Sequence, residues 1–318
     1  MITISAEKMS KKVLVFGAGV LGSLYALMLQ KACNDVTVVA RGSRYDDISE
    51  HGIVIEHFDS GEQESAAVKA VKQMPVDEYY DFCLVAVQKV QLASALEALK
   101  VNQTIPLFLF MVNTAEGPQA MLDALGADRV VLGFVNAGGE RDGHLVRLML
   151  AKGKAVTMGE PDGSISERLQ TLAATFREAG IPVEYSKNMD AWLRYHVALV
   201  GPLANALYMA GGSNYRLADN PRVVRLGLKG MREAVKVLKA AGFPVEPPAL
   251  KVMLAIPDFI LTPIVRRLMR TKLMDIGGAR HANNAREEMS RLNEELLAMA
   301  GEMNIDTPVM HELQRANE

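Results

Sequence analysis

Three glycines, Gly17, Gly19 and Gly22 in the stretch KKVLVFGAGVLGSLYALMLQ, constrain the fold of this chain more than any other feature. Residues 13–16 form a short apolar run suited to a buried parallel strand, and residues 21–30 read as the helix behind it. Strand, tight turn and helix in that order give a G-x-G-x-x-G hexapeptide its meaning. Gly17 lets the chain turn. Gly19 lets the backbone approach a pyrophosphate. Gly22 lets the helix pack close on the strand, with its N-terminal amides aimed at phosphate. Ala18, Val20 and Leu21 complete a loop that contacts a dinucleotide through its backbone. The competing reading is a glycine-rich turn in an unrelated α/β domain.

The chain has 318 residues, of which 49% are hydrophobic, enough for two buried cores. Its net charge of -2 offers no basic field for nucleic acid or an anionic membrane. The two cysteines, Cys33 and Cys83, lie in apolar settings without metal-ligand spacing, and are expected in the core of a protein kept reduced. The first ten residues lack a signal-peptide apolar core. The most apolar later stretch, 252–265, is broken by Pro257, Asp258 and Pro263 and is too short to span a bilayer. A soluble cytoplasmic protein is the expectation.

Residues 36–39, 82–87, 106–110 and 130–135 read as strands buried on both faces, with helices at 92–99 and 119–125 between them. This alternation predicts an α/β fold with an N-terminal Rossmann-type doubly wound sheet. Residues 146–149 and 155–158 look like further strands around a turn at 152–154. A helix over 164–179 is stopped by Gly180, and a last strand follows at 181–185. From Asp190 the pattern is helical, including 191–209, 222–241 and 287–303. We therefore expect a nucleotide-binding domain over 1–186 and an all-helical domain for substrate or dimerisation over 187–318, with the site in the cleft between them.

An acidic residue usually ends the second strand where NAD is bound. Here the strand ends in Arg41, with Arg44 three residues on and no carboxylate at the strand end. A guanidinium there suits a 2′-phosphate, so NADP is expected rather than NAD. The alternative is a pair of solvated loop arginines.

Together these stretches resemble the ketopantoate reductase family, the 2-dehydropantoate 2-reductases. The resemblance rests on the GAGVLG turn, the RGSR stretch at 41–44, the IxxxGI segment at 48–53, LVAVQKVQ, the FMVN strand end at Asn113, VTMGE, and the DAWLR helix opening. It implies a Rossmann domain, a helical C-terminal domain, NADPH, and reduction of a small 2-oxo acid to its 2-hydroxy acid. Many members are dimers, so a homodimer is implied as well. The family's helix opening reads W-x-K, its lysine donating to the substrate carbonyl, and two asparagines follow. The matching positions here are Arg194, Ala198 and Pro202. Gln88 stands where a lysine is usual, with Lys89 beside it, and Glu288 and Asn293 match part of a downstream E-x-D-x-x-N-G motif. These replacements set the expected substrate apart from ketopantoate and leave the fold and cofactor as implied. They also motivate a second class of function, an NADPH-binding sensor without turnover. A third keeps catalysis on a bulkier oxo acid.

Positions 194, 198, 201 and 205 share one helix face by the 3.6-residue period. Arg194, Ala198, Gly201 and Asn205 form a stripe with room for a ligand, and Pro202 is expected to kink or end the helix. Arg194 is then either a substrate-facing cation or the partner of a surface carboxylate. Arginine cannot readily give up a proton, so another group or a water must supply it. His196 is the nearest, although it lies about 200° around the helix, with Val200, Leu203 and Leu207. It is either a catalytic acid or a satisfied core histidine. Asn113 is a candidate for a nicotinamide or substrate hydrogen bond. Glu288 is a site residue or a capping glutamate. The 18 methionines fill a core or line an adaptable pocket. The stretch 252–269 lines a pocket, covers the cleft, or makes an oligomer contact.

Overall fold

The computed structural model describes residues 10–135, 137–150 and 155–315. The turn expected at 152–154 lies outside them. The N-terminal part runs β1 (Lys12–Phe16), α1 (Val20–Lys31), β2 (Asp35–Val39), α2 (Ser43–His51), β3 (Ile53–His57), β4 (Gln63–Ala66), β5 (Lys69–Val71) and β6 (Phe82–Val85). It continues with α3 (Leu92–Leu99), β7 (Phe108–Phe110), α4 (Gln119–Leu125), β8 (Val130–Phe134), β9 (Ala137–Asp142), β10 (Leu145–Leu150), β11 (Val156–Gly159), α5 (Glu167–Glu178) and β12 (Val183–Tyr185).

The large sheet has the order β12-β11-β8-β7-β6-β1-β2-β5. From β5 to β8 every pairing is parallel, and the chain order reverses beside β1. This is the doubly wound Rossmann arrangement, and its switch point faces the loop after β1. Only the joint between β8 and β11 is antiparallel. The strands read as unbroken apolar runs because both faces are covered: Val13 and Val15 pack with α1, while Leu14 and Phe16 pack with α3 and α4. A second sheet, β4-β3-β10-β9, stands apart from the first. Apart from β10 its strands are part-polar, and β3, β4 and β9 carry no readable strand pattern, nor does β5 at the edge of the large sheet. The sequence reading also placed Cys33 in the core. Cys83 is buried in β6, but Cys33 is exposed at φ +65° in the tight turn after α1.

The helical part comprises α6 (Met189–Met209), α7 (Asn214–Asp219), α8 (Pro221–Ala240), α9 (Leu250–Ala255), α10 (Asp258–Met269), a π-helical turn (Met274–Arg280), α11 (His281–Asn284), α12 (Arg286–Glu302) and α13 (Pro308–Gln314). Asn188 caps α6 by accepting from the Ala191 amide at 2.9 Å. The expected break at Pro202 does not occur. The helix runs through it because Pro202 is held in the packing against α8, where a Cβ at Gly230 would stand 3.2 Å from the proline ring. The helices share their own core, around Tyr195, Leu228, Leu292 and Leu313. No helix among the described residues is long and apolar enough to cross a membrane.

Candidate active site in the cleft between sheet and helices

A cleft of about 1440 Å³ opens at the C-terminal ends of β1, β2, β6 and β7 and is closed by α6, α7 and the segment from α10 to α12. Its floor is the glycine loop. Gly17 has φ +105°, and a Cβ there would sit 2.4 Å from the Ala86 carbonyl oxygen. A Cβ on Gly22 would come within 1.8 Å of the Gly17 carbonyl oxygen. Both glycines are required by the protein itself. Gly19 is different: a Cβ there meets no protein atom within 4 Å. Space kept clear of side chain over a helix N-terminus is what a closely approaching phosphate needs. Helix α1 has no side-chain cap and no acid in its first turn. The Ala18 carbonyl accepts from Arg44 Nε at 3.1 Å, so the Gly19 amide of the same trans peptide points the other way. The loop thus fits a dinucleotide.

Arg41 and Arg44 part company. Arg44 is buried, and its guanidinium also donates to His144 O at 2.9 Å and Ser23 Oγ at 2.9 Å. Arg44 therefore ties the loop to α1 and to the turn between β9 and β10, and burial lowers its pKa. Arg41 is exposed at the cleft edge. The sequence reading missed Lys72, which follows β5, lines the same edge and lies 4.6 Å over the Tyr45 ring. A three-residue strand with polar neighbours gave no signal for it. Gln88 also lines the cleft, where its side chain and that of Gln91 cap a short 3₁₀ turn.

At the inner end, Asn113 and Glu288 meet. Glu288 is 4% exposed and accepts from the Lys89 amide at 3.0 Å and from the Asn113 side chain. Burial raises its pKa above that of an ordinary glutamate, and those two hydrogen bonds offset part of the effect. Glu288 is therefore a buried acid in the cleft, and the capping role is not what α12 uses it for.

The helix face read as open in the sequence is the packed one. Arg194 is buried, with Nε on Asp190 at 2.7 Å, Nη2 on the Glu116 carbonyl at 2.7 Å, and Nη1 on the Ala115 carbonyl. Its guanidinium stacks 4.2 Å over Phe243. Ala198 is fully buried, Asn205 bonds Gln314, and a Cβ on Gly201 would strike Asn293 at 2.7 Å. The small residues make room for α12, not for a ligand. Arg194 does not line the cleft; it clamps the loop after β7. The other face does line it, through His196, Val200, Leu203, Ala204 and Leu207. Helical period alone gives the two faces but not which one the second domain covers.

His196 packs against Phe134, tilted at 4.2 Å between centroids, and stacks on Trp192 at 5.8 Å. Burial, helped by nearby His281, lowers its pKa from 6.5 to about 4. His281 also lines the cleft and is shifted down by burial. It sits on a four-residue helix with no readable period, so the sequence reading passed over it. The pH dependence of stability follows. Unfolded chains bind a proton at position 196 below about 6.5, and the folded state resists this until about 4. His196 therefore costs stability as pH falls through that window, by up to about 3 kcal/mol. Denaturant melts of wild type and His196→Leu between pH 7 and 4 should show a shallower loss in the variant. Parallel curves would contradict the assignment.

Comparison with known proteins agrees with this geometry. A family model described as ketopantoate reductase PanE/ApbA matches residues 13–163. The 2-dehydropantoate 2-reductase of Aquifex aeolicus is 28% identical over 244 residues, covering 74% of this chain and 75% of that one. Among solved structures, the 2-dehydropantoate 2-reductase from Geobacter metallireducens superimposes with a TM-score of 0.77 at 18% identity, covering 96% of this chain and 98% of that one. A ternary structure of D-mandelate dehydrogenase with NADH and anilino(oxo)acetate gives 0.78 at 15% identity, covering 96% of each chain. At these identities the structures speak for the fold, while the family match covers the strands and loops that carry the glycine turn and Asn113. Over residues 13–163 the chain is similar to the ketopantoate reductase family, and along most of its length it shares that family's fold.

Proposed function

We propose that the chain is an NADPH-dependent reductase that converts the ketone of a 2-oxo acid to the 2-hydroxy acid. The observation that carries this reading is a single cleft with a side-chain-free glycine loop on its floor and a buried acid, Glu288, bonded to Asn113 at its inner end. The nicotinamide, when bound, supplies the hydride to the carbonyl carbon. Asn113 orients the reacting groups. His196, kept neutral and held by two aromatic rings, donates a hydrogen bond toward the carbonyl oxygen. Glu288 retains its proton to higher pH than an exposed glutamate and gives it to the oxygen as negative charge develops there. The division of the chain at residue 186 and a cytoplasmic setting belong to the same proposal.

Exchange of Glu288 for Gln keeps an oxygen to accept from Lys89 and Asn113 but removes the proton. Turnover should fall by about 10²–10⁴ with NADPH affinity little changed. Steady-state kinetics beside a cofactor titration would check this, and a near wild-type kcat would remove Glu288 from the chemistry. A sensor without turnover would bind NADPH and leave it unoxidised whichever 2-oxo acid is added.

Preference for NADPH over NADH is assigned to Arg41 and Lys72. Arg41→Asp should abolish the preference at a cost of about 1–3 kcal/mol in NADPH binding, the range of a charge-assisted phosphate contact. Titrations of both cofactors would decide it; equal affinities in the wild type would end the argument.

A further inference from the structure

We propose that the substrate carries a bulky apolar group on its carbonyl carbon, seated against the helical wall of the cleft. The inference rests on the reductase reading for the carbonyl itself and adds the class of molecule that presents it.

The cleft is chemically divided. Its cations, Arg41, Arg44, Lys72 and Arg141, stand at the edge beside the glycine loop and β5. None of the residues between 196 and 289 that line it is lysine or arginine. The polar side chains of this half are Asn113, which bonds Glu288, His196, which lies near His281, and two asparagines, Asn214 and the exposed Asn284. Asn214 lines the wall but is committed, its amide donating to the Met269 carbonyl at 2.7 Å. Apart from Asn284 the rest of the wall is apolar and comes from five elements: Leu203 and Leu207 from α6, Leu217 from α7, Met269 from α10, Met274 from the π-helical turn, and Met289 from α12.

A small hydroxylated substituent would find no hydrogen-bond partner among these leucines and methionines, and a second carboxylate would find no counter-charge. Either would lose hydration without compensation. An alkyl or aromatic group gains there with every carbon it buries. The unbranched methionines let the wall adapt to shape. The wall also does not end inside. Leu268 and Leu273 line the cleft yet are 45% and 42% exposed, so apolar lining continues to the surface and a long substituent can run outward. The carboxylate common to 2-oxo acids falls at the inner end, where Asn113, His196 and His281 offer neutral donors.

The chain contains one tryptophan, Trp192, stacked on the cleft-lining His196, and it reports occupancy without turnover. Dissociation constants for 2-oxo acids of increasing alkyl length, and for a phenyl-substituted one, are read from Trp192 quenching, with NADPH oxidation followed separately. Each added methylene should tighten binding about fourfold, the ratio that about 0.8 kcal/mol per buried methylene corresponds to. A hydroxylated analogue of equal length should bind at least tenfold more weakly. Affinity independent of chain length, or highest for the hydroxylated acid, would overturn the inference even if every acid is reduced. Affinity rising with length while no acid is reduced would uphold it and sink the reductase reading instead. An Ala204→Leu variant narrows the wall and should selectively weaken the longest acids; a uniform loss across the series would count against the assigned wall.

Discussion

A Gly19→Val chain should fold as the wild type does and lose its binding of NADPH. The two halves of this outcome have separate causes. Gly19 has φ -74° and ψ -163°, extended backbone that valine adopts readily, and its Cβ would meet no protein atom within 4 Å. Valine is a poorer helix N-cap than glycine, which costs on the order of 1 kcal/mol or less. The two methyl groups would stand over the α1 N-terminus, where a pyrophosphate must approach the free amides. Affinity for NADPH should drop by roughly a hundredfold or more, the loss expected when several charge-assisted contacts go together. Gly22→Val is the instructive contrast. Its Cβ would come within 1.8 Å of the Gly17 carbonyl oxygen, so that variant should lose stability before binding can be asked about. Circular dichroism melts and fluorescence titration of both variants separate the cases. Undiminished NADPH binding by a folded Gly19→Val would mean that the loop does not hold the phosphates.

The glycine loop was legible because its requirement is local. A strand, a turn and a helix of fixed order carry the whole signal, and α3 and α4 were readable to the residue for the same reason, having a clear apolar period and clear ends. Short half-polar strands such as β4 and β5 gave no such signal, and with β5 went Lys72. The second sheet is assembled from β3 and β10, nearly ninety residues apart in sequence, a pairing that no local pattern encodes. The helical side of the site was misread for another reason. Helix α6 is apolar almost all round, with buried residues on every face. Its period then cannot say which face meets α8 and α12 and which meets the cleft. Arginine in place of the family's lysine drew attention to position 194, while the residue facing the cleft stands two positions on, at His196.

That displacement makes Arg194→Ala a test of structure before catalysis. The guanidinium satisfies two consecutive carbonyls, Ala115 and Glu116, in the loop after β7, and pairs with Asp190. From the other side of the loop, Glu295 accepts from the Ala115 and Glu116 amides at 2.8 and 3.2 Å, while Lys89 bonds Thr114 and Glu116 and pairs with Glu295. One loop therefore ties sheet to helices through charges on both of its edges, right beside Asn113. Alanine would leave the buried Ala115 carbonyl and the part-buried Glu116 carbonyl without this donor and Asp190 without its partner, a loss of about 3 kcal/mol for a broken, largely buried charge network. Lysine should rescue little of it, because one ammonium cannot reproduce a planar fork on adjacent carbonyls or the stack on Phe243. Denaturant unfolding of the three proteins gives the stabilities, and turnover on one 2-oxo acid gives the rates. Turnover should fall only as far as the folded fraction and the position of Asn113 are disturbed, and alike in both variants. Unchanged stability with a hundredfold loss of kcat, restored by lysine, would return Arg194 to the active site and take His196 out of it.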